Sequence, residues 1–189
     1  QAKRPVIYCG VGVISANASK LLVQFMDKTQ IPAVTTIMGI GAVPPDHPLC
    51  FDVLGMHGSK YANDAVNEDD LLLAIGVRFD DRVTGKVSEF ARHARIVHID
   101  IDPSSISKRV KVDVPIVGNV SEVLDEFLRL IKAGARRPDP ARLAAWWKTI
   151  EEWRGKDCLK YDRNSKIIKP QFVIEKLYEV TGGDAFVTS

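Results

Sequence analysis

Asp70-Leu71-Leu72-Leu73-Ala74-Ile75-Gly76 is the stretch that decides the fold. Its five apolar residues run without a polar interruption and are bounded by an acid and a glycine. The run does not alternate and is shorter than an ordinary helix, so it reads as a strand buried on both pleat faces. Strands of that kind belong to parallel sheets, where crossover helices cover each side. Directly after it comes Val77-Arg78-Phe79-Asp80-Asp81-Arg82-Val83-Thr84-Gly85, a charged loop at the strand's carboxyl end.

The same alternation extends in both directions. Upstream, Val6-Ile7-Tyr8-Cys9 is a short apolar strand that stops at Gly10, and Ser15 or Asn17 can cap a following helix with Leu21, Leu22, Phe25 and Met26 on one stripe. Gln30-Ile31-Pro32 ends that helix, and Ala33-Val34-Thr35-Thr36 reads as the second strand. Pro44, Pro45 and Pro48 leave little room for regular structure between Met38 and Phe51. A helix is expected from about His57-Gly58 to Val66.

Downstream, Arg95 to Asp100 is a strand, and Val114-Pro115-Ile116-Val117 is a short one marked by its proline as an edge. Asn119 caps a helix whose stripe is Val123, Leu124, Phe127, Leu128 and Ile131, ended by Gly134. About five strands alternating with helices specify a three-layer α/β fold with an open, mostly parallel sheet. Ligands of such sheets bind outside the carboxyl ends of the strands, where the strand order reverses.

Composition agrees with a globular domain and narrows the partners. The 189 residues carry 26 Lys+Arg against 24 Asp+Glu, a net charge of +2, which gives no reason to propose nucleic acid or an anionic membrane as a partner. No apolar run approaches the length of a membrane span. Cys9, Cys50 and Cys158 lie far apart and are odd in number, which argues against a disulfide framework or a paired-cysteine metal site and suits a reducing compartment. Gln1-Ala2-Lys3-Arg4-Pro5 has neither a start methionine nor an apolar signal core, and reads as a cut into a longer chain.

From Ala135 the texture changes. Gly134 to Pro140 is a linker by composition, Leu143, Trp146, Trp147, Ile150 and Trp153 form a tryptophan-bearing helix, and Pro170 opens a last helix with Phe172, Val173, Leu177 and Tyr178 apolar. The expected division is a nucleotide-binding unit over residues 1–134, a helical connector over 135–169 and a further segment over 170–189.

Four loops are candidates for chemistry. Gly10-Val11-Gly12-Val13-Ile14-Ser15 is a GxGxxS turn, read either as a phosphate cradle or as a tight turn, and no acid follows near Thr35-Thr36 to hold a ribose as ordinary nicotinamide binding requires. Leu54-Gly55-Met56-His57-Gly58 flanks His57 with glycines, which suggests backbone passing close to something flat or bulky rather than a zinc ligand. The R-x-D-D-R run from Arg78 to Arg82 is either a self-neutralised loop or an arginine site for phosphates or carboxylates. In His98-Ile99-Asp100-Ile101-Asp102-Pro103, Asp102 fits a helix cap and Asp100 a ribose ligand. No G-x-S-x-G, P-loop, HExxH or general acid–base pair is present, so the residues by themselves point to a nucleotide-binding domain with no catalytic or metal-ligating residue.

Together with Ile37-Met38-Gly39-Ile40-Gly41, these loops resemble the central domain of acetolactate synthase (acetohydroxyacid synthase) catalytic subunits, which are thiamine-diphosphate enzymes. Arg78-Phe79-Asp80-Asp81-Arg82-Val83-Thr84-Gly85-Lys86 is the most specific part. The resemblance runs from about residue 4 to 134 and resumes at Pro170-Gln171, the lead-in to that family's diphosphate-binding domain. It implies a Rossmann-like domain that binds FAD, an inter-domain linker, and a parent enzyme that condenses two pyruvates, or pyruvate and 2-oxobutyrate, with loss of CO2 in branched-chain amino-acid biosynthesis.

By the same resemblance, the FAD contacts are Val11, Thr36, Ile37, Leu54, Gly55, Met56, His57, Gly76, Val77, Arg78, Phe79, Asp80, Asp100, Ile101, Asn119 and Val120. Asp81 and Arg82 match positions lining the channel where substrate passes and inhibitors bind. Thiamine diphosphate and Mg²⁺ belong to the full-length enzyme, whose catalytic Glu and metal segment this sequence lacks, so the fragment alone is expected to be inactive. The implied assembly is a homodimer or homotetramer with a small regulatory subunit, in a bacterial cytoplasm or an organelle matrix. Two departures stand out: Val11 replaces the middle one of three glycines and so needs negative φ, and Asn119 stands where an acid is common. A related thiamine-diphosphate carboligase or oxidase, or a non-catalytic nucleotide-binding scaffold, is the alternative.

Overall fold

The computed structural model describes residues 2–135 and 138–188; Gln1, Ser189 and the connector's Arg136-Arg137 lie outside them. The described residues form one sheet of six strands: β1 (Pro5–Cys9), β2 (Ala33–Thr35), β3 (Cys50–Val53), β4 (Leu71–Ile75), β5 (Arg95–Asp100) and β6 (Val114–Val117). Every pairing is parallel, and the spatial order is β3-β2-β1-β4-β5-β6. Ile7 of β1 pairs with Ala33 on one side and Leu73 on the other. The order therefore reverses between β1 and β4, the switch point at which doubly wound sheets open a crevice.

Side chains alternate between two cores. Ile7, Cys9, Leu73, Ile75 and Ile99 face one side, and are covered by α1 (Val11–Ser15), α2 (Ser19–Thr29) and α5 (Val120–Lys132). Val6, Tyr8, Leu72, Ala74 and Ile96 face the other, beneath α3 (Lys60–Glu68) and α6 (Pro140–Arg154). A single-turn helix, α4 (Asp81–Thr84), follows β4, and α7 (Pro170–Thr181) comes last.

Two local expectations are corrected. The segment between Met38 and Phe51 ends in β3, an edge strand concealed in the sequence by Asp52, whose φ is 88° and which shifts the pairing register. The Asp52 carboxylate accepts from the Val53 N–H and the Tyr61 hydroxyl, which holds this backbone. Neither Ser15 nor Asn17 caps the first long helix: α1 begins directly after Gly10, Asn17 turns the chain at φ 52°, and α2 starts after Ala18. Asn119 does cap α5, accepting from the Ser121 N–H at 2.9 Å. The tryptophan helix of the expected connector packs on the sheet. Leu143, Trp146 and Ile150 are buried; the Trp146 indole donates to the Pro5 carbonyl at 3.1 Å, and that of Trp147 to Gln30 at 2.9 Å.

Candidate functional site

The carboxyl ends of β1, β2 and β4 meet three loops, and a cavity of about 300 Å³ opens between them. That volume is at the lower end for a small-molecule site, and it sits at the switch point where one is expected. Its wall is largely apolar, formed by Tyr8, Val11, Ile37, Met38, Val53, Leu54, Met56, Val77 and Val83. Polar groups enter from Thr36, His57, Arg78, Asp80 and Arg82. Val11, Ile37, Met38 and Met56 leave large apolar areas exposed around the mouth.

Steric crowding explains the glycines better than phosphate binding does. A Cβ on Gly12 would lie 2.6 Å from the Gly76 Cα, and one on Gly10 would lie 2.6 Å from the Gly76 carbonyl. Gly76 itself has φ 61°, a conformation that costs other residues free energy. The Gly12 N–H donates to the Gly76 carbonyl at 3.1 Å, so that amide is spent inside the fold. The turn after β1 and the turn after β4 thus cross backbone against backbone, and their crossing forms the cavity's base. Val11 sits in α1, at the negative φ its side chain requires.

The other loops are tied down in the same way. Asn63 reads both polar groups of Gly55, accepting from its N–H at 3.2 Å and donating to its carbonyl at 3.1 Å. The Met56 N–H donates to the Arg82 carbonyl at 2.9 Å, joining the Met56–His57 turn to the charged loop. Asp80 caps α4 by accepting from the Arg82 N–H at 3.2 Å, and lies 3.9 Å from Arg78. The Asp81 side chain, that N–H and the nearby guanidinium hold the Asp80 carboxyl below its ordinary range, so it carries charge at the cavity's polar edge. Thr36 also lines the cavity, but its Oγ1 is itself covered, beside Gly39, and has no partner among the described residues.

The structure brings together Val11, Thr36, Ile37, Leu54, Met56, His57, Gly76, Val77, Arg78, Asp80 and Arg82 as cavity lining. It does not bring the rest there. Gly55 and Asp81 face a neighbouring depression with Lys86 and Arg92. Phe79 turns its buried ring into the core, T-shaped against Phe90 and His98. Asp100, Ile101, Asn119 and Val120 lie beside the cavity, at the carboxyl ends of β5 and β6. There the Asp100 carboxylate accepts from the Asp102 N–H at 2.8 Å, and Asn119 is occupied as a cap. Asp102 caps the short turn at Pro103–Ser105, as its sequence suggested.

Sequence reasoning missed Tyr8, Met38, Val53 and Val83 as lining, and Asn63 as the residue that fixes Gly55. Only Tyr8 had a usable signal, since it shares a pleat face with Val6 one step before the turn. Among the described residues no group of three His, Cys, Asp or Glu could hold a metal ion, and no helix is long and apolar enough to cross a membrane.

Residues 1–127 match the family described as thiamine pyrophosphate enzyme, central domain. The chain belongs to that family. The thiamine pyrophosphate enzyme domain is also 45% identical over 188 residues to the acetolactate synthase large subunit of Haemophilus influenzae, and 44% identical over 188 residues to the acetolactate synthase isozyme 3 large subunit of Escherichia coli. The acetolactate synthase large subunit of Pyropia yezoensis is 40% identical over 188 residues. Each match covers 100% of this chain but only 32–33% of the relative, so the chain spans about a third of the length of the curated relatives it matches. The similarity includes the tryptophan helix and the residues after it.

Proposed function

We propose that this chain is the FAD-binding central domain of an acetolactate synthase large subunit. The parent enzyme then condenses two pyruvates, or pyruvate and 2-oxobutyrate, with loss of CO2, using thiamine diphosphate and Mg²⁺ held by its other domains. The observation that carries this is the largely apolar cavity at the switch point, in a chain that is 44–45% identical to two acetolactate synthase large subunits. An apolar slot with charge along one edge suits a flat ring system with polar substituents, as a flavin presents.

In this proposal the ring system lies among Val11, Ile37, Leu54, Met56 and Val77, and Arg78 with Asp80 fixes its polar edge. Gly55 and Phe79 hold that wall in place. Asp100, Ile101, Asn119 and Val120 receive the nucleotide end beyond β4, and Asp81 with Arg82 faces the substrate channel. Bound FAD supplies no redox step that the condensation needs. The chain's own residues bind it, orient it and keep water from the crevice. Residues 1–134 form the flavin unit, 135–169 lead out of it, and 170–189 begin the diphosphate-binding domain. The assembly is a dimer or tetramer with a small regulatory subunit, located in a bacterial cytoplasm or an organelle matrix.

Titration of the chain with FAD, followed by flavin fluorescence and calorimetry, tests the proposal against NAD⁺ as comparator. Saturable binding of FAD with little or none of NAD⁺ is the expected result. Absence of FAD binding at millimolar concentration would contradict it.

A further inference from the structure

His98 lies on β5 outside every residue assigned to the cavity, and it is completely buried. Its Nε2 is 2.7 Å from the carbonyl oxygen of Val77. A carbonyl only accepts, so the proton sits on Nε2, and the ring reaches from β5 to the first residue of the loop after Gly76. The ring also stands T-shaped against Phe79, with centroids 5.0 Å apart. Phe79 in turn has φ 52°, and its ring packs against Tyr8 and Phe90. One imidazole therefore holds both the carbonyl of Val77 and the ring of Phe79, two positions in the loop that presents Val77, Arg78 and Asp80 to the cavity.

A purely space-filling role fits this residue poorly. Nδ1 is buried with no partner among the described residues, a cost that a leucine or phenylalanine of similar volume would not carry. The unmet acceptor is tolerable if the other nitrogen does something an apolar side chain could not. Burial holds His98 below the usual histidine range, while the Val77 carbonyl and Asp100, whose Oδ2 is 3.9 Å away, act in the opposite direction. The neutral ring is the form whose single N–H the Val77 carbonyl takes.

We infer that His98 is a positioning residue for the ligand wall: its Nε2–H fixes the Val77 peptide, and with Phe79 it presets the Gly76–Asp80 loop for the flavin. The inference rests on the proposed flavin role of the cavity, and the two fail separately. If the unaltered chain does not bind FAD, the flavin proposal is wrong; if it binds and His98 proves dispensable, only the positioning role is wrong.

The test compares FAD dissociation constants and thermal melting for the unaltered chain, His98→Leu and His98→Gln. Leucine fills the space without a donor, whereas the glutamine amide can place an N–H near the position of Nε2. Weaker FAD binding by tenfold or more in His98→Leu, with affinity recovered to within about threefold in His98→Gln and with both variants still melting cooperatively, is the expected pattern. Equal affinity in all three would overturn the inference, as would equal losses in both variants. If His98→Leu does not fold, the comparison of His98→Gln with His98→Ala, in chain that melts cooperatively, decides on the same criterion.

Discussion

The two ends of the sheet are finished differently. At the amino ends of the strands the backbone is sewn shut: the Asp70 carboxylate accepts from the N–H groups of Lys3 and Arg4, the Asp113 carboxylate accepts from Ile96, and two tryptophan indoles donate to Pro5 and Gln30. At the carboxyl ends, Val11, Ile37, Met38, Met56 and Ile101 remain exposed around an open cavity. One end ties its backbone down with side chains, Asp69 being left unpartnered, and the other keeps apolar surface exposed. Stability and binding are thereby separated in space, and substitutions at the two ends should separate them in measurement.

The largest effect belongs to the closed end. Trp146→Ala removes a buried indole and its bond to Pro5, and should cost about 3–5 kcal/mol in urea unfolding while leaving FAD affinity in the folded fraction unchanged. A comparable loss of affinity would erase the distinction between the ends. Next is Gly76→Ala, which places a Cβ 2.7 Å from the Gly12 Cα at φ 61°. A cost of roughly 2–4 kcal/mol combines backbone strain with overpacking. Because the crossing of these turns forms the cavity base, FAD affinity should fall as well. Loss of stability with intact affinity would detach the crossing from the site.

Asp69 sharpens the comparison through pH. It is fully buried beside Asp70, both carboxylate oxygens lack partners among the described residues, and desolvation pushes its pKa up to about 8. The native chain therefore keeps a proton that the unfolded chain releases near 3.8. Stability from this group is present below the unfolded pKa, falls as pH rises towards about 8, and levels off above it. Between pH 5 and pH 6 the slope should exceed that of Asp69→Asn by up to about 1.4 kcal/mol. Equal slopes would show that Asp69 ionises normally. The smallest effect on folding belongs to the open end: Met56→Ser should change stability by under about 0.5 kcal/mol, since Met56 is 62% exposed, yet weaken FAD binding several-fold.

Much of this was legible locally. The unbroken Leu71–Ile75 run announced a central parallel strand, Pro115 marked an edge, and Asn119 and Asp102 announced their caps. The loops at the strand ends were found because glycines and charges follow each apolar run. What escaped was non-local. Asp52 broke the pattern of β3, and its conformation is held by bonds from the Val53 N–H and from the Tyr61 hydroxyl on the following helix. The crossing of Gly12 and Gly76 joins positions far apart in the chain. That the tryptophan helix packs on the sheet was hidden too, because nothing near it reveals that Pro5 and Gln30 offer acceptors. Helix α7 also begins with proline and is rich in apolar residues, yet it buries none of them. Apolar content alone did not distinguish the two helices. Phe79 shows the same limit within the site, since a loop residue between two ligand candidates turned inward to hold the wall.

The most direct test of a ligand site at the open end is amide chemical-shift mapping of the chain during FAD titration. Shifts concentrated at Val11, Thr36 to Met38, Leu54 to His57 and Gly76 to Asp80, with Asp69, Asp113 and Trp146 unmoved, are the predicted result. Shifts centred on the closed end, or no shifts at saturating FAD, would contradict it.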